Sequence, residues 1–571
     1  MILSTFSIQM PGRYFLPYEG DVYKLTLSLP ALPAYWLTWN DDDSATAERF
    51  LIESVEISST TVYTLKTDLA TCVSTPESFY FDFSSQTLYV HFSVNPDAVS
   101  NLIGDITGYT NQHTIYIDDQ EYAPYLKTIP SISKAVDPLE ASKMTFKNQT
   151  LTLINSTGEQ DRFIDDPIPG ILVDLLHYDE DTEATTAIYS GYITSDSYDM
   201  DEARFVETDS RQRGNVMCPI TKYDKTVYTN LDDKLDGKVI PNIYGTVKGA
   251  VCNALNGDDE SATHYTFQPC EFISTLTQVY VEEEKGHYTA KTASSTDLSN
   301  GIFYLTAADC TNDRGKLQKV KANLTGRVFS SAPDIIKDLN DTYDNVIYNT
   351  SNYNTTEWAA EAAKVGGSCY LNMNEEKSLF EWIEELQNAG NRQFIYDIQA
   401  DGLRTLRTYD PDRTETLDIA NWQLLSQSGE RDFEFYASKV SVDYQQDFMD
   451  DTAPTVSNTD YQTDRIATYG HPNDYTVPID HAGLDNSTDA GTKADNIAEK
   501  YEPQMVFTVD IFIDDPEMFE DIKLFATGSI DFENTDLGRE FFGSRRVIVE
   551  EFSFNLSNNT VQLKMRERAP L

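Results

Sequence analysis

Apolar and polar positions alternate over short stretches along most of the chain. Thr150-Leu151-Thr152-Leu153-Ile154 puts its leucines on one side of an extended backbone, the period-two pattern of a half-buried strand. Phe79–Phe83 and Thr87–Phe92 repeat it on either side of Ser84-Ser85-Gln86, which predicts a hairpin. Towards the other end, Val547–Phe554 and Thr560–Arg566 flank Ser557-Asn558-Asn559. In the second segment Val561, Leu563 and Met565 alternate with Gln562, Lys564 and Arg566, predicting an antiparallel hairpin with its polar members in solvent.

Helical spacing is rarer. Lys377–Ala389 carries Leu379, Ile383 and Leu386 at i, i+4 and i+7, with Gly390 placed as a C-terminal cap. Phe394–Ile398, Asp401-Gly402 and Leu403–Thr408 then read as a hairpin closed by a type I′ turn. Thr488–Tyr501 lines Ala490, Ala494, Ile497 and Ala498 along one face. Shorter helices are expected at Ala332–Asn340 and Thr355–Lys364. Asn40–Asp43, Gly257–Glu260 and Asp450–Asp464 read as polar loops. The pattern predicts a multidomain, mainly β chain with a minor α/β part. Its expected parts are an N-terminal β domain (1–125), a second β unit (126–236), a β-rich middle (237–330), an α/β region (331–430) and a β-rich C-terminal part (431–571).

Charge narrows the function. Against 43 Lys and Arg stand 93 Asp and Glu, a formal net charge of −50 over 571 residues. Residues 1–125 alone hold 16 acids against Arg13, Lys24, Arg49 and Lys66, so the excess is spread and not a tail. Such a surface repels polyanions, which counts against a nucleic-acid binder that grips phosphate and against docking on anionic lipid. Adaptation to a saline habitat produces the same bias. With 40% apolar residues and 34 Tyr the chain has the material for real cores, unlike a disordered acidic segment. MILSTFSIQMPGR lacks the basic and apolar regions of a signal peptide, and no apolar run is long enough to span a membrane. Cys72, Cys218, Cys252, Cys270, Cys310 and Cys369 are scattered singly and read as reduced, mostly buried thiols.

The search for chemistry yields no catalytic, cofactor-binding or metal-binding residues. HExxH, GxSxG, Walker A and GxGxxG motifs are all absent. Asp232-Asp233-Lys234-Leu235-Asp236-Gly237 begins like a calcium loop, but Lys234 sits at a ligand position and no Glu closes it. Gly366-Gly367-Ser368-Cys369 reads as a helix-to-strand junction, not a nucleophile loop. His91, His113, His177, His264, His287, His471 and His481 are too dispersed for a ligand pair. Asp41-Asp42-Asp43 reads as a solvated turn, with calcium as the lesser alternative.

Several segments, taken in order, resemble the tail hub (baseplate hub) proteins of long-tailed phages and gene transfer agents. Gly237-Lys238-Val239-Ile240-Pro241-Asn242-Ile243-Tyr244-Gly245-Thr246-Val247 is similar to their GK-x-IP-x-x-YG-x-V segment. Upstream, Leu151–Asn155 with Phe163 and Asp165, Gly170–Val173 and Tyr189–Ile193 follow the family's order. Downstream, the helix and hairpin of 377–408, Ala437–Tyr444, the 488–501 helix with Pro503, and Asp536-Leu537-Gly538 through Arg566 do the same. The motif residues also have scaffold roles: Pro241 suits the start of a strand, and Gly237 and Gly245 suit turns or close backbone approach.

The resemblance implies tail-hub-like tube β-barrel domains plus peripheral β-rich domains, and no enzyme activity. It implies a homotrimeric ring at the tail tip of a virion, made in the host cytoplasm, that continues the tail tube. Implied partners are the chain itself, a distal tail or tail tube protein, the tape measure protein and tail fibre or tip proteins. DNA passes through an acidic lumen without specific binding. Two rivals stand beside this reading: a carbohydrate- or receptor-binding protein of a virion using its Tyr and Trp, and a cell-wall hydrolase, for which no catalytic pair is visible.

Overall fold

The computed structural model describes residues 216–568 with breaks of one to four residues, much of 114–209 in segments, and Cys72 and separate strands upstream. The fold is mainly β, in several curled half-barrel sheets. The largest sheet runs from Leu126–Thr128 through Gln149–Ile154, Glu202–Asp209, Ala184–Tyr198 and Leu172–Asp179 to Ile2–Met10 and further N-terminal strands. Phe6 pairs with Val173, so the start of the chain is built into the sheet that also holds the 149–209 strands. The hairpin expected around residue 85 forms between Ser78–Asp82 and Thr87–His91, with Tyr80 opposite Tyr89.

Two residues beyond Leu126–Thr128, the chain crosses to a second sheet. Ser131–Val136 pairs antiparallel with Arg539–Asn555, Ser131 lying opposite Asn555. That sheet is ordered Met144–Phe146, Ser131–Val136, Arg539–Asn555, Thr560–Glu567, Gln504–Phe512, Leu424–Asp432. The two sheets share one core: Leu151, Leu153, Val173 and Phe205 cluster with Phe507, Val549 and Leu563. Ala490, Ala494, Ile497 and Ala498 of the Ser487–Lys500 helix are buried in the same core, as their spacing predicts. A seven-stranded sheet built from 246–325 has its own core around Phe267, Phe303 and Leu324. Helices Ala332–Tyr343, Thr355–Val365 and Leu379–Gln387 enclose a further core in which Trp358 and Trp382 are fully buried.

Local readings need four corrections. The third helix starts at Leu379 because Ser378 caps it: its side chain accepts from the Glu381 N–H while Glu381 returns a bond to the Ser378 N–H, a capping box. Gly390 is no left-handed cap; a Cβ there would lie 2.5 Å from Val365 Cγ1, so the residue is small because another helix end passes close. Among the described residues of the hairpin between Phe394–Ile398 and Arg404–Thr408 only Gly402 has positive φ (78°), Asp401 does not, and the loop closes through Gly402 N–H to Gln399 O and Gln399 N–H to Leu403 O. A type I′ turn needs two such residues, so the loop is a longer one. The stretch read as a polar loop at Asp450–Asp464 contains the strand Thr455–Asn458, held against Lys439–Asp443, and leads into the helix Gln462–Tyr469. Phe163, Asp165, Gly170, His113, Pro503, Asp41–Asp43, Ser84–Gln86 and Asp536–Gly538 lie outside the described residues.

Candidate assembly surfaces

The Gly237–Val247 segment sits where three elements meet. Pro241 directly precedes the strand Asn242–Tyr244, which pairs with Cys369–Met373, Ile243 lying opposite Asn372. Both glycines take left-handed φ, 77° at Gly237 and 68° at Gly245, but their surroundings differ. A Cβ on Gly237 would meet nothing, whereas one on Gly245 would lie 2.6 Å from Cys369 O. Tyr244 turns inward and donates to Asp338 Oδ2 at 2.7 Å, and Arg327 donates to the same oxygen at 3.2 Å. Burial, then the neighbouring Asp338 charge, pushes the Tyr244 hydroxyl well up. Asn242 donates to Tyr343 Oη at 3.0 Å. The segment therefore pins the Ala332–Tyr343 helix onto a small sheet, a scaffold task. Beside it lies a groove of about 530 Å³ lined by Val239, Val251 and Phe448 and edged by Glu375 and Glu376.

The other features weighed in the sequence resolve into structure. Gly366 and Gly367, both with positive φ, join the Thr355–Val365 helix to the Cys369–Met373 strand. All six cysteines are buried, and burial pushes the Cys218 and Cys270 thiols up to about 12. His481 lies 3.2 Å from Glu375 and edge-on to Trp382, while His471 is exposed and hydrogen-bonded near Pro472, so each has its own setting. Asp232 accepts the Lys234 N–H in an ordinary turn. Among the described residues no group of three His, Cys, Asp or Glu is arranged to hold a metal ion, and no helix is long and apolar enough to cross a membrane.

Buried charge is what the sequence pattern misread. Arg566, expected in solvent, is 3% exposed: its Nε donates to Glu550, and its terminal nitrogens reach Asp432 Oδ2 at 3.2 Å. A register shift between Val549 and Glu551 on the adjoining strand turns Glu550 to meet it. A second network joins Glu361 to Arg413, with Lys364, Arg392 and Asp410 alongside. Lys493 is also buried, donating to the Asn388 carbonyl at the end of the Leu379–Gln387 helix; burial pulls its ammonium down to about 7. The first group ties three strands together, the second holds a helix to a strand and the segment after it, and Lys493 joins two helices. None opens onto a cleft with a second reactive group.

One face of the 131–567 sheet has a different character. A rung crosses five strands from buried Ser133 through half-buried Ser553, exposed Gln562 and half-buried Asp510 to exposed Ser426. It offers hydroxyls, an amide and one carboxylate, with Ser426 and Gln562 both donating to Asp510. In the next rung Lys564 lies opposite Glu551.

The solved structures that resemble the chain are phage tail proteins and a gene transfer agent particle. The tail protein from Neisseria meningitidis MC58 matches at 8% identity, over 80% of this chain and 95% of that one, with a TM-score of 0.34. The 43 kDa tail protein of prophage MuSo2 from Shewanella oneidensis matches at 9% identity, over 79% and 97%, with a TM-score of 0.32. A chain of the native gene transfer agent virion matches at 12% identity, over 59% and 85%, with a TM-score of 0.35. No residue role is transferred from them. No family model and no curated protein sequence matches the chain.

Proposed function

We propose that this chain is a structural protein of a phage tail tip, a hub that forms a ring of three copies continuing the tail tube. The observation that carries the reading is the polar face of the 131–567 sheet. The rung members that reach solvent there, Ser553, Gln562, Asp510 and Ser426, include no cation, in a chain of net charge −50. A lumen lined this way repels DNA phosphates and lets the polymer slide. The order of the hub-like segments supports the same reading, as does the scaffold role of Gly237–Val247. The five-part division at about residues 125, 236, 330 and 430 belongs to the proposal. So do the neighbours: a distal tail or tube protein above, fibre or tip proteins below, and the tape measure end inside.

Light scattering on purified protein, across protein concentration and salt, tests the ring. A mass near three times 64.5 kDa, favoured by salt as self-repulsion is screened, is the expected result. The lumen is tested on that trimer with Asp510→Lys together with Ser426→Lys. The variant ring should retain double-stranded DNA at low salt where the native ring does not. Equal behaviour of the two rings would remove the lumen assignment. The rival glycan-binding reading has less to work with, since Trp358, Trp382, Tyr223 and Tyr353 are all spent in cores.

A further inference from the structure

The strand Leu424–Asp432 ends its sheet and overhangs the core. It pairs on one side with Gln504–Phe512, and among the described residues nothing pairs with its other edge. Val509 and Phe507 are fully buried, yet their partners across the ladder, Gln427 and Gly429, are not covered to match. A nine-residue strand with one open edge and little cover on either face gains little from its own chain to offset the cost of ordering it. Apolar side chains gather at its beginning. Trp422 is 64% exposed, Leu425 59% and Phe512 40%, and the pairing of Leu424 with Ile511 brings the three to one end of the ladder.

We propose that this strand, with Trp422, Leu425 and Phe512, is the surface by which one copy of the chain holds the next. This rests on the ring reading above and names the contact within it. Charge selects the occupant. Two chains of net −50 repel over most of their surfaces, and 24% of all residues are charged, but residues 419–429 contain no charged residue at all. Asp510 across the ladder is engaged by Ser426 and Gln562 and does not project alone. Along 419–429 two acidic copies approach with little charge penalty, the charged Glu430, Arg431 and Asp432 lying at the far end of the strand from Trp422. The strand path ends on its other side at the short strand Met144–Phe146, with Leu417–Ile419 on a branch through Thr527–Asn534, so each copy carries one edge to offer and a different one to fill, as a cyclic, head-to-tail contact requires. Open edges left bare are also an aggregation hazard, which closure of the ring removes.

The test compares native protein with Trp422→Ala/Leu425→Ser and, separately, Ser428→Glu. Mass is followed by light scattering as protein and salt are raised, with circular dichroism and thermal midpoint as controls for folding. All three substituted side chains lie at the surface, so the fold is expected to persist. The expected result is self-association of the native chain, weakened about tenfold or more by the apolar double variant. Ser428→Glu should weaken it at low salt and recover as salt is added. Undiminished association of both variants overturns the contact while leaving the ring standing. A native dimer that the variants abolish supports the contact and removes the three-copy ring. A native chain that stays monomeric at every concentration and salt overturns the contact.

Discussion

Glu361 offers the sharpest test of how the mixed α/β part is held. The carboxylate is 2% exposed and accepts from Arg413 Nη1 and Nη2 at 2.7 Å each, from Thr408 N–H at 2.8 Å and Oγ1 at 2.7 Å, and from Lys364 at 3.2 Å. Glu361→Ala leaves the Arg413 guanidinium, whose side chain is only 12% exposed, without its counter-charge. Breaking a buried pair in this way costs about 3–5 kcal/mol. The orphaned Thr408 N–H overlaps with that figure, so about 4 kcal/mol is expected in all. Replacing both partners, Glu361→Leu with Arg413→Met, should recover much of that loss because neither charge is then stranded, leaving mainly the cost of the orphaned Thr408 N–H, about 1–2 kcal/mol.

A chain with several cores does not unfold in one step, so the assay must be local. Hydrogen exchange at the Thr355–Val365 helix and the Arg404–Thr408 strand reads the relevant opening. A loss of about 4 kcal/mol accelerates it roughly a thousandfold, and the double variant should be accelerated much less. Protonation should mimic the alanine. Burial pushes the Glu361 carboxyl up, but the Arg413 and Thr408 bonds outweigh it and hold it below the ordinary 4.5. The unfolded state therefore takes up the proton first. The stabilisation is present above pH 4.5 and is lost as pH falls through the lower, folded-state value. Native protein should lose local protection in that range and the double variant should not. A single variant with native exchange rates, or a double variant as damaged as the single, refutes the reasoning.

Three further outcomes are expected. Lys493→Met should raise the thermal midpoint at pH 7. Because burial pulls the folded ammonium down to about 7 from 10.5, native stability should rise between those values as the unfolded chain alone keeps its proton, and the variant should lack that rise. Gly245→Ala should sharply reduce soluble yield, since its Cβ would strike the Cys369 carbonyl, whereas Gly237→Ala, facing open space, should lower stability by only about 1–2 kcal/mol. Ser378→Ala removes half of a capping box and should cost about 1 kcal/mol, read as faster exchange in the first turn of the Leu379–Gln387 helix.

Local periodicity carried the regular elements well. The helices Ala332–Tyr343, Thr355–Val365 and Ser487–Lys500 lie within a few residues of their apolar spacing, and the C-terminal hairpin turns at Asn559 with positive φ, which asparagine tolerates. What escaped was non-local. Arg566 follows Gln562 and Lys564 in the same alternation, and nothing near it in sequence announces that Glu550 and Asp432 will arrive from two other strands. The pairing of Ser131–Val136 with Arg539–Asn555 is equally silent, since each strand's pattern fits any partner of similar polarity. The open strand did leave a trace. Its uncharged run at 419–429 stands out in so acidic a chain, but absence of charge reads as core until exposure shows that it is surface.

The hop from Leu126–Thr128 to Ser131–Val136 sets a timetable. Once residue 136 has been made, the ribosome must still supply the Arg539–Asn555 strand that completes the pairing. That comes roughly 400 residues later, an interval of about 20–80 s at ordinary synthesis rates of about 5–20 residues per second. Through that interval the first sheet can form while Ser131–Val136 has only Met144–Phe146 to pair with. The edge Leu424–Asp432 is equally dependent, because its only pairing partner among the described residues, Gln504–Phe512, emerges after it. A ribosome that stalls before residue 504 therefore releases a chain without that edge in place. On the contact proposed above, a prematurely terminated copy lacks the edge by which it would join its neighbours.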